Sequence, residues 1–250
     1  MRIYLLNLKK IRRNLLLGTL LLLTAVLLTA MLQHNTVPAG SQPKPHAIYK
    51  VQTDKPVLAL TFDISWGTKV PGPVMDILKK KNVKSTFFLS GPWVKKHPEF
   101  PKRLVAEGHE IGSHGYKHVN YSQYSREWVK KDIMAAHEAI KEVTGVIPSL
   151  IRTPNGDWNE MVLSVAEELG YKVIQWSDDS LDWKKDRTVD HIVNRVLEKA
   201  HPGAIILMHA SDTCDRTPEA LPRVIDGLRE KGYRLITVSE LLKYGPGVID

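Results

Sequence analysis

Seven short apolar runs, separated by stretches of helical length, limit the folds open to this chain more than any other feature. The runs occupy residues 57–62, 85–89, 109–112, 149–152, 172–176, 204–208 and 234–237. The spacing of apolar residues between them predicts helices over 74–81, 93–107, 125–144, 159–169, 188–199 and 218–231, with a last one over 239–244. Several of these stretches end in glycine, as in Glu107-Gly108, Thr144-Gly145, Leu169-Gly170 and Lys231-Gly232, where a left-handed residue closes a helix. Strict strand–helix alternation implies a parallel sheet with helices outside it.

Two architectures satisfy that pattern, a doubly wound open sheet and a closed barrel. No glycine-rich phosphate loop follows the first strand, which weakens the nucleotide-binding open sheets. A (β/α) barrel makes a stronger demand, that reactive side chains cluster just after the carboxyl ends of several strands. The chain meets it with Asp63 after the first strand, His114 and His118 after the third, Arg152 to Gly156 after the fourth, Asp182-Trp183 after the fifth and His209 at the end of the sixth.

These residue types suggest a chemistry. His114 and His118 stand four apart, so a turn brings both imidazoles to one side to hold a divalent metal. A catalytic zinc usually takes three protein ligands plus a water whose pKa it lowers to about 7. Asp63 could take a proton from such a water, Arg152 could hold Asp63 ionised, and His209, steadied by Asp182, could protonate a leaving group. No nucleophilic Ser or Cys is required.

The amino terminus carries a separate message. The chain has 35 Lys and Arg against 27 Asp and Glu, a formal +8, but Arg2, Lys9, Lys10, Arg12 and Arg13 precede Leu15 with no acid among them. With those five set aside, 30 basic residues face 27 acidic ones, a net of +3, so nucleic acid is not the expected partner. Residues 15–32 hold no charge and no proline; at about 18 residues the run is near the ~20 of a membrane span and longer than the ~7–15 of a secretory signal. The reading is a cytoplasmic basic flank and membrane-spanning anchor over 1–32 with the remainder outside the membrane. The alternative is a signal cleaved near Thr29-Ala30, releasing a secreted domain. Residues 33–54, with Pro38, Gly40, Pro43 and Pro45, read as a linker, and 55–250 as the folded domain. One cysteine, Cys214, excludes an internal disulfide and reads as a buried or incidental thiol.

The strand-end residues resemble the polysaccharide deacetylase family, the NodB-homology domain of carbohydrate esterase family four, over about Lys55 to Leu242. The matching motifs run in order: T-F-D at Thr61–Asp63, H-x-x-x-H at His114 and His118, R-x-P-x-G at Arg152–Gly156, D-W at Asp182-Trp183 and L-x-H at Leu207–His209. The resemblance implies a single distorted (β/α) barrel of about seven parallel strands. It also implies hydrolysis of N-acetyl groups on an N-acetylhexosamine polymer with a divalent metal, zinc first and cobalt or manganese next. It makes Asp63 the base, His209 the acid tuned by Asp182, Arg152 the residue orienting Asp63, and His114 and His118 the metal ligands. Trp183 and Leu207 would receive the acetyl methyl, and the backbone N–H of Asn155 would help hold the oxyanion.

One position departs from the pattern. Most members read T-F-D-D-G, with the second aspartate as third metal ligand, where this chain has Ile64. Either Asp63, Ser65 or a water completes a weaker site, or the metal is bound poorly or not at all. The D-I-S-W-G string, the R-T-P-N-G motif, the anchor and the length resemble the sporulation-associated PdaB-type branch, which implies spore or cell-wall peptidoglycan as substrate. Two other functions stay open. One is a non-catalytic glycan-binding module in which Trp66, Trp93 and Trp158 stack on sugar rings; the other is a metal-independent glycosidase using Asp63 and Asp182. The oligomeric state is not readable.

Overall fold

The structure, a computed structural model, describes residues 8–34 and 45–249, in two compact units divided between Lys44 and Pro45. The first unit holds α1 (Leu8–His34), the one helix among the described residues that is long and apolar enough to cross a membrane, over Arg12–Thr29. At 1.5 Å per residue its 27 residues extend about 40 Å, beyond the roughly 30 Å of a hydrocarbon core. Its threonines do not interrupt it: the hydroxyls of Thr19, Thr24 and Thr29 donate to carbonyls three or four residues back, which satisfies them within the helix.

The second unit is α/β. Its strands are β1 (Lys50–Val51), β2 (Val57–Ile64), β3 (Thr86–Leu89), β4 (Glu110–Ser113), β5 (Leu150–Ile151), β6 (Lys172–Val173), β7 (Asp178–Asp179), β8 (Ile205–His209), β9 (Arg234–Ile236) and β10 (Gly247–Val248). The connecting helices are α2 (Pro71–Lys80), α3 (Gly91–Lys96), α4 (Glu99–Ala106), α5 (Arg126–Thr144), α6 (Glu160–Glu168), α7 (Val189–Lys199), α8 (Thr217–Glu230) and α9 (Val238–Leu241). The main sheet runs β6-β5-β4-β3-β2-β8-β7, with β9 also paired to β2, and its ladders are all parallel. Every residue of β2 is buried, as expected of a parallel strand covered on both faces. Phe62, Ile64, Leu60, Met208 and Ile206 pack outward against Val74, Leu78, Val224 and Leu228 in the largest apolar cluster, where the sheet meets the helices.

Each of the seven anticipated runs contains a strand. Three details differ from the sequence reading. The helix expected over 93–107 is two helices, because Pro98 pushes His97 out of helical geometry (φ −133°, ψ 58°). The run 172–176 pairs with β5 only through Lys172 and Val173, and the chain then crosses to β8 as β7. The sheet is therefore a curled half-barrel with β6 and β7 as its edges and no ladder between them among the described residues. The linker expected over 33–54 also ends earlier. Ala47, Ile48 and Val51 are buried, Ile48 bridges Ile174, and β1 pairs antiparallel with β10. The compact unit accordingly starts at Pro45 rather than 55, because this segment covers apolar surface that the sheet leaves bare. At its other end, residues 33–34 belong to α1, and residues 35–44 of the linker lie outside the described residues.

Candidate active site

The carboxyl ends of β2, β4, β5, β7 and β8 surround a cavity of about 480 Å3. Asp63, Trp66, His114, His118, Asn155, Trp183, Leu207 and His209, all expected from sequence, line it. Asp63 and His209 sit side by side in the β2–β8 register.

Arg152 organises the interior. Its side chain is fully buried, and NH1 donates to Asp63 Oδ1 at 2.8 Å and to Thr61 Oγ1 at 2.9 Å. Its Nε and NH2 donate to the carbonyls of Ile174 and Gln175, and the guanidinium lies 4.3 Å from the Phe88 ring centroid. The group thus fastens the strand-end loop after β6 to β2 across the half-barrel. Burial would push the Asp63 carboxyl up, but Arg152 first, then His114 and His209, hold it below the ordinary carboxylate value.

His209 is set by different partners. Its Nδ1 faces Asp182 Oδ1 at 2.8 Å, its backbone N–H donates to Asp182 Oδ2 at 2.8 Å, and Thr217 Oγ1 donates to the same oxygen at 2.7 Å. Burial opposes protonation of this ring, yet the Asp182 carboxylate wins and its pKa is raised. With Nδ1 turned to Asp182, Nε2 is the atom left for other chemistry. Asp182 itself is buried, does not line the cavity, and has both oxygens occupied. The glycosidase reading is therefore corrected, since an acid–base carboxylate must reach the sugar.

His114 Nδ1 lies 2.8 Å from the Arg152 carbonyl, leaving Nε2 3.8 Å from Asp63 Oδ2. Burial pushes its pKa down to about 4 despite Asp63, so the imidazole is neutral. The His118 ring is 5.3 Å from that of His114 and is likewise lowered by burial. The two are held by a clamp that sequence reading missed. Asp132 on α5 accepts from the backbone of Tyr116 and Lys117 and from Tyr121 Oη. No local motif marks Asp132, because its partners are brought to it only by the packing of α5 on the loop after β4.

Two neutral imidazoles suit a divalent cation, but three protein ligands are not assembled. Ile64 is 1% exposed and belongs to the outward apolar cluster. Among the described residues, the group of three ligand atoms that closes within 4.8 Å is Asp182, His209 and Cys214. That group is already committed to hydrogen bonds through Asp182, and burial pushes the Cys214 thiol up, away from the thiolate a metal needs. The residues present therefore do not fit a three-ligand metal centre.

The remaining expected groups divide. Trp66 is 43% exposed, edge-on to His118, and Trp183 is 46% exposed with its indole N–H toward Asp179. Asn155 stands at positive φ (59°) with its side chain bonded to Asn120. Trp93 and Trp158 are not sugar platforms. Trp93 is 2% exposed in the core, and Trp158 packs against Tyr171-side apolar residues and donates to Tyr49 Oη. Cys214 is buried at the cavity wall.

A half-barrel with Asp–Arg, His–His and His–Asp sets at its strand ends defines a class, and the chain belongs to the polysaccharide deacetylase family, whose sequence model matches residues 50–174. Among its relatives, YlxY, an uncharacterized protein of Bacillus subtilis strain 168, is 36% identical over 80% of this chain and 61% of its own length. The peptidoglycan-N-acetylglucosamine deacetylase PgdA of Listeria monocytogenes is 38% identical over 77% of this chain. The chain spans only 40% of that protein's length. The solved structure of a CE4 family pseudoenzyme from Bacillus anthracis superposes with a TM-score of 0.76 at 34% identity, over 81% of this chain and 70% of that one. A mutant of that pseudoenzyme is described as having restored enzymatic activity.

Proposed function

We propose that this chain hydrolyses the N-acetyl group of N-acetylhexosamine units in spore or cell-wall peptidoglycan, from a membrane anchor that leaves the catalytic unit outside the cytoplasm. The observation that carries the reading is the pairing of Asp63 and His209 on adjacent strand ends, one carboxylate whose pKa Arg152 lowers and one imidazole whose pKa Asp182 raises, in the same cavity. The acetamido group enters with its methyl toward Trp183 and Leu207. Asp63 takes a proton from a water that attacks the carbonyl carbon, and the developing oxyanion accepts the Asn155 N–H. His209 Nε2 then protonates the departing amine as the C–N bond breaks, releasing acetate. The basic flank before Leu15 supports the orientation of the anchor; cleavage near Thr29 would give the same unit in secreted form.

Ile64 favours a second reading, a weakly active or non-catalytic glycan-binding descendant, to which the pseudoenzyme neighbour adds support. One experiment separates the two: acetate release from N-acetylated glycan oligomers with zinc, cobalt or manganese, alongside metal content. The deacetylase reading expects release that falls at least about a hundredfold in Asp63→Asn and His209→Ala. It also expects Ile64→Asp to raise metal content and release together. Release no greater than in those two inactive variants, with glycan affinity intact, establishes the binding module instead.

A further inference from the structure

The open edge of the half-barrel holds a second recess. It has a volume of about 320 Å3, lies where β6 and β7 fail to pair, and shares Asn155, Gly156, Trp176 and Asp179 with the catalytic cavity. The recess and the cavity therefore adjoin across these four residues.

Several of its donors lack acceptors, while the Asn155 and Gln175 amides are already paired. Arg195 is anchored by its Nε to the Asp179 carbonyl at 2.6 Å, and its terminal nitrogens bond to nothing among the described residues. Lys199, one turn further along α7, makes no hydrogen bond or close ion pair among them and acts on the Asp178 carboxyl only at longer range. Tyr49 Oη accepts the Trp158 indole N–H, which leaves its own O–H to donate outward. Ser177 Oγ is buried with no hydrogen-bond partner. Two acids stand nearby. The Asp179 carboxylate is engaged by the Leu181 N–H and the Trp183 indole. Asp178 is fully buried behind Lys199 and Arg195 without a partner, and burial pushes its carboxyl up to about 7, so it carries only part of a charge at neutral pH.

We propose that this recess seats a carboxylate borne by the glycan beside the sugar being deacetylated, held by Arg195 and Lys199, so that the preferred substrate is an acidic amino-sugar polymer and not a neutral one. The inference rests on the deacetylase reading for the neighbouring cavity, where the acetamido group lies. An Arg fork and an ammonium within one recess match a carboxylate, and the substituents that carry one on a wall glycan are the lactyl group and the peptide it bears.

The test is calorimetric titration of the full chain in detergent micelles with two ligands: a peptidoglycan tetrasaccharide with free lactyl carboxylates, and the same oligomer with those carboxyls reduced to alcohols. The acidic oligomer is expected to bind about tenfold tighter at low salt, with the advantage shrinking as salt is raised. Lys199→Gln and Arg195→Gln should each remove most of that advantage while moving the reduced oligomer less than about twofold. Lys199 is exposed, so its variant carries no folding ambiguity. Equal affinity for the two oligomers, or variants that weaken both alike, overturns the carboxylate seat and leaves the deacetylase reading standing. Binding of neither oligomer overturns both.

Discussion

Three titrating side chains make opposite demands on pH. Asp63 is held below its ordinary 3.8, so its contribution to stability is present above that value and lost as pH falls through the lowered one. His209 is held above its ordinary 6.5; its contribution is complete below 6.5 and lost as pH rises through the raised value. His114 is depressed to about 4, so the unfolded chain binds a proton between 6.5 and 4 that the folded chain refuses. That single imidazole should remove on the order of 3 kcal/mol of stability across the interval, read as a falling urea midpoint between pH 6.5 and 4 that becomes shallower in His114→Gln, the remaining slope belonging to His109 and His118, which burial also lowers. Turnover has a different profile. The ionised Asp63 and protonated His209 coexist between the lowered value of the first and the raised value of the second, so kcat/KM is expected to form a plateau whose alkaline limb lies above pH 6.5. Asp182→Asn should move that alkaline limb to lower pH, because the carboxylate is what keeps the ring protonated; an unmoved limb would remove His209 from the role of acid.

At the scale of elements, the site depends on how loops are fastened to helices. The loop between β4 and α5 carries both His114 and His118, and α5 secures it through one carboxylate with three donors. Gly115 lets the loop pass: φ is +72°, and a Cβ there would collide with Tyr121 Oη. Asp132→Ala leaves the buried Tyr121 hydroxyl and two half-buried backbone donors without acceptors and is expected to cost about 3 kcal/mol, seen as a lower denaturant midpoint. It should also weaken any cation binding by the His pair more than Asp132→Asn does. Other element boundaries were legible because they follow local rules. Ser125, Asn159 and Thr188, the first residues of three anticipated helices, are the N-caps of α5, α6 and α7, each accepting a backbone N–H. The break at Pro98 also follows a local rule, the restriction on the residue before proline. The split of β6 from β7 follows no such rule, since the Lys172–Trp176 run is continuous in hydrophobicity and only its competing partners, β5 and β8, divide it.

For the whole molecule, the boundary at Pro45 and the helix at Leu8–His34 give two tests. Deleting residues 45–54 strips Ile48 and Val51 from the apolar cluster they share with Ile174 and Ile205 and should lower stability by about 3–6 kcal/mol; a domain beginning at 55 that unfolds at the same denaturant midpoint as one beginning at 45 would refute that role. If residues 12–29 are an uncleaved anchor, the full chain stays in the membrane pellet after carbonate extraction, whereas cleavage near Thr29 sends it to the supernatant. The sequence by itself determined the parallel α/β alternation, the strand-end positions of Asp63, His114, His118, Arg152, Asp182 and His209, and the apolar Ile64 directly after Asp63, because periodicity, glycine caps and residue chemistry are local properties. The tertiary structure alone decided that Asp182, already expected to steady His209, is buried away from the cavity, that Asp132 clamps the His loop, that the barrel stays open, and that Arg195 and Lys199 line the opening. Each of those depends on which groups meet across long separations in the chain, and the decisive quantities, burial and hydrogen-bond saturation, exist only once the chain has closed around them.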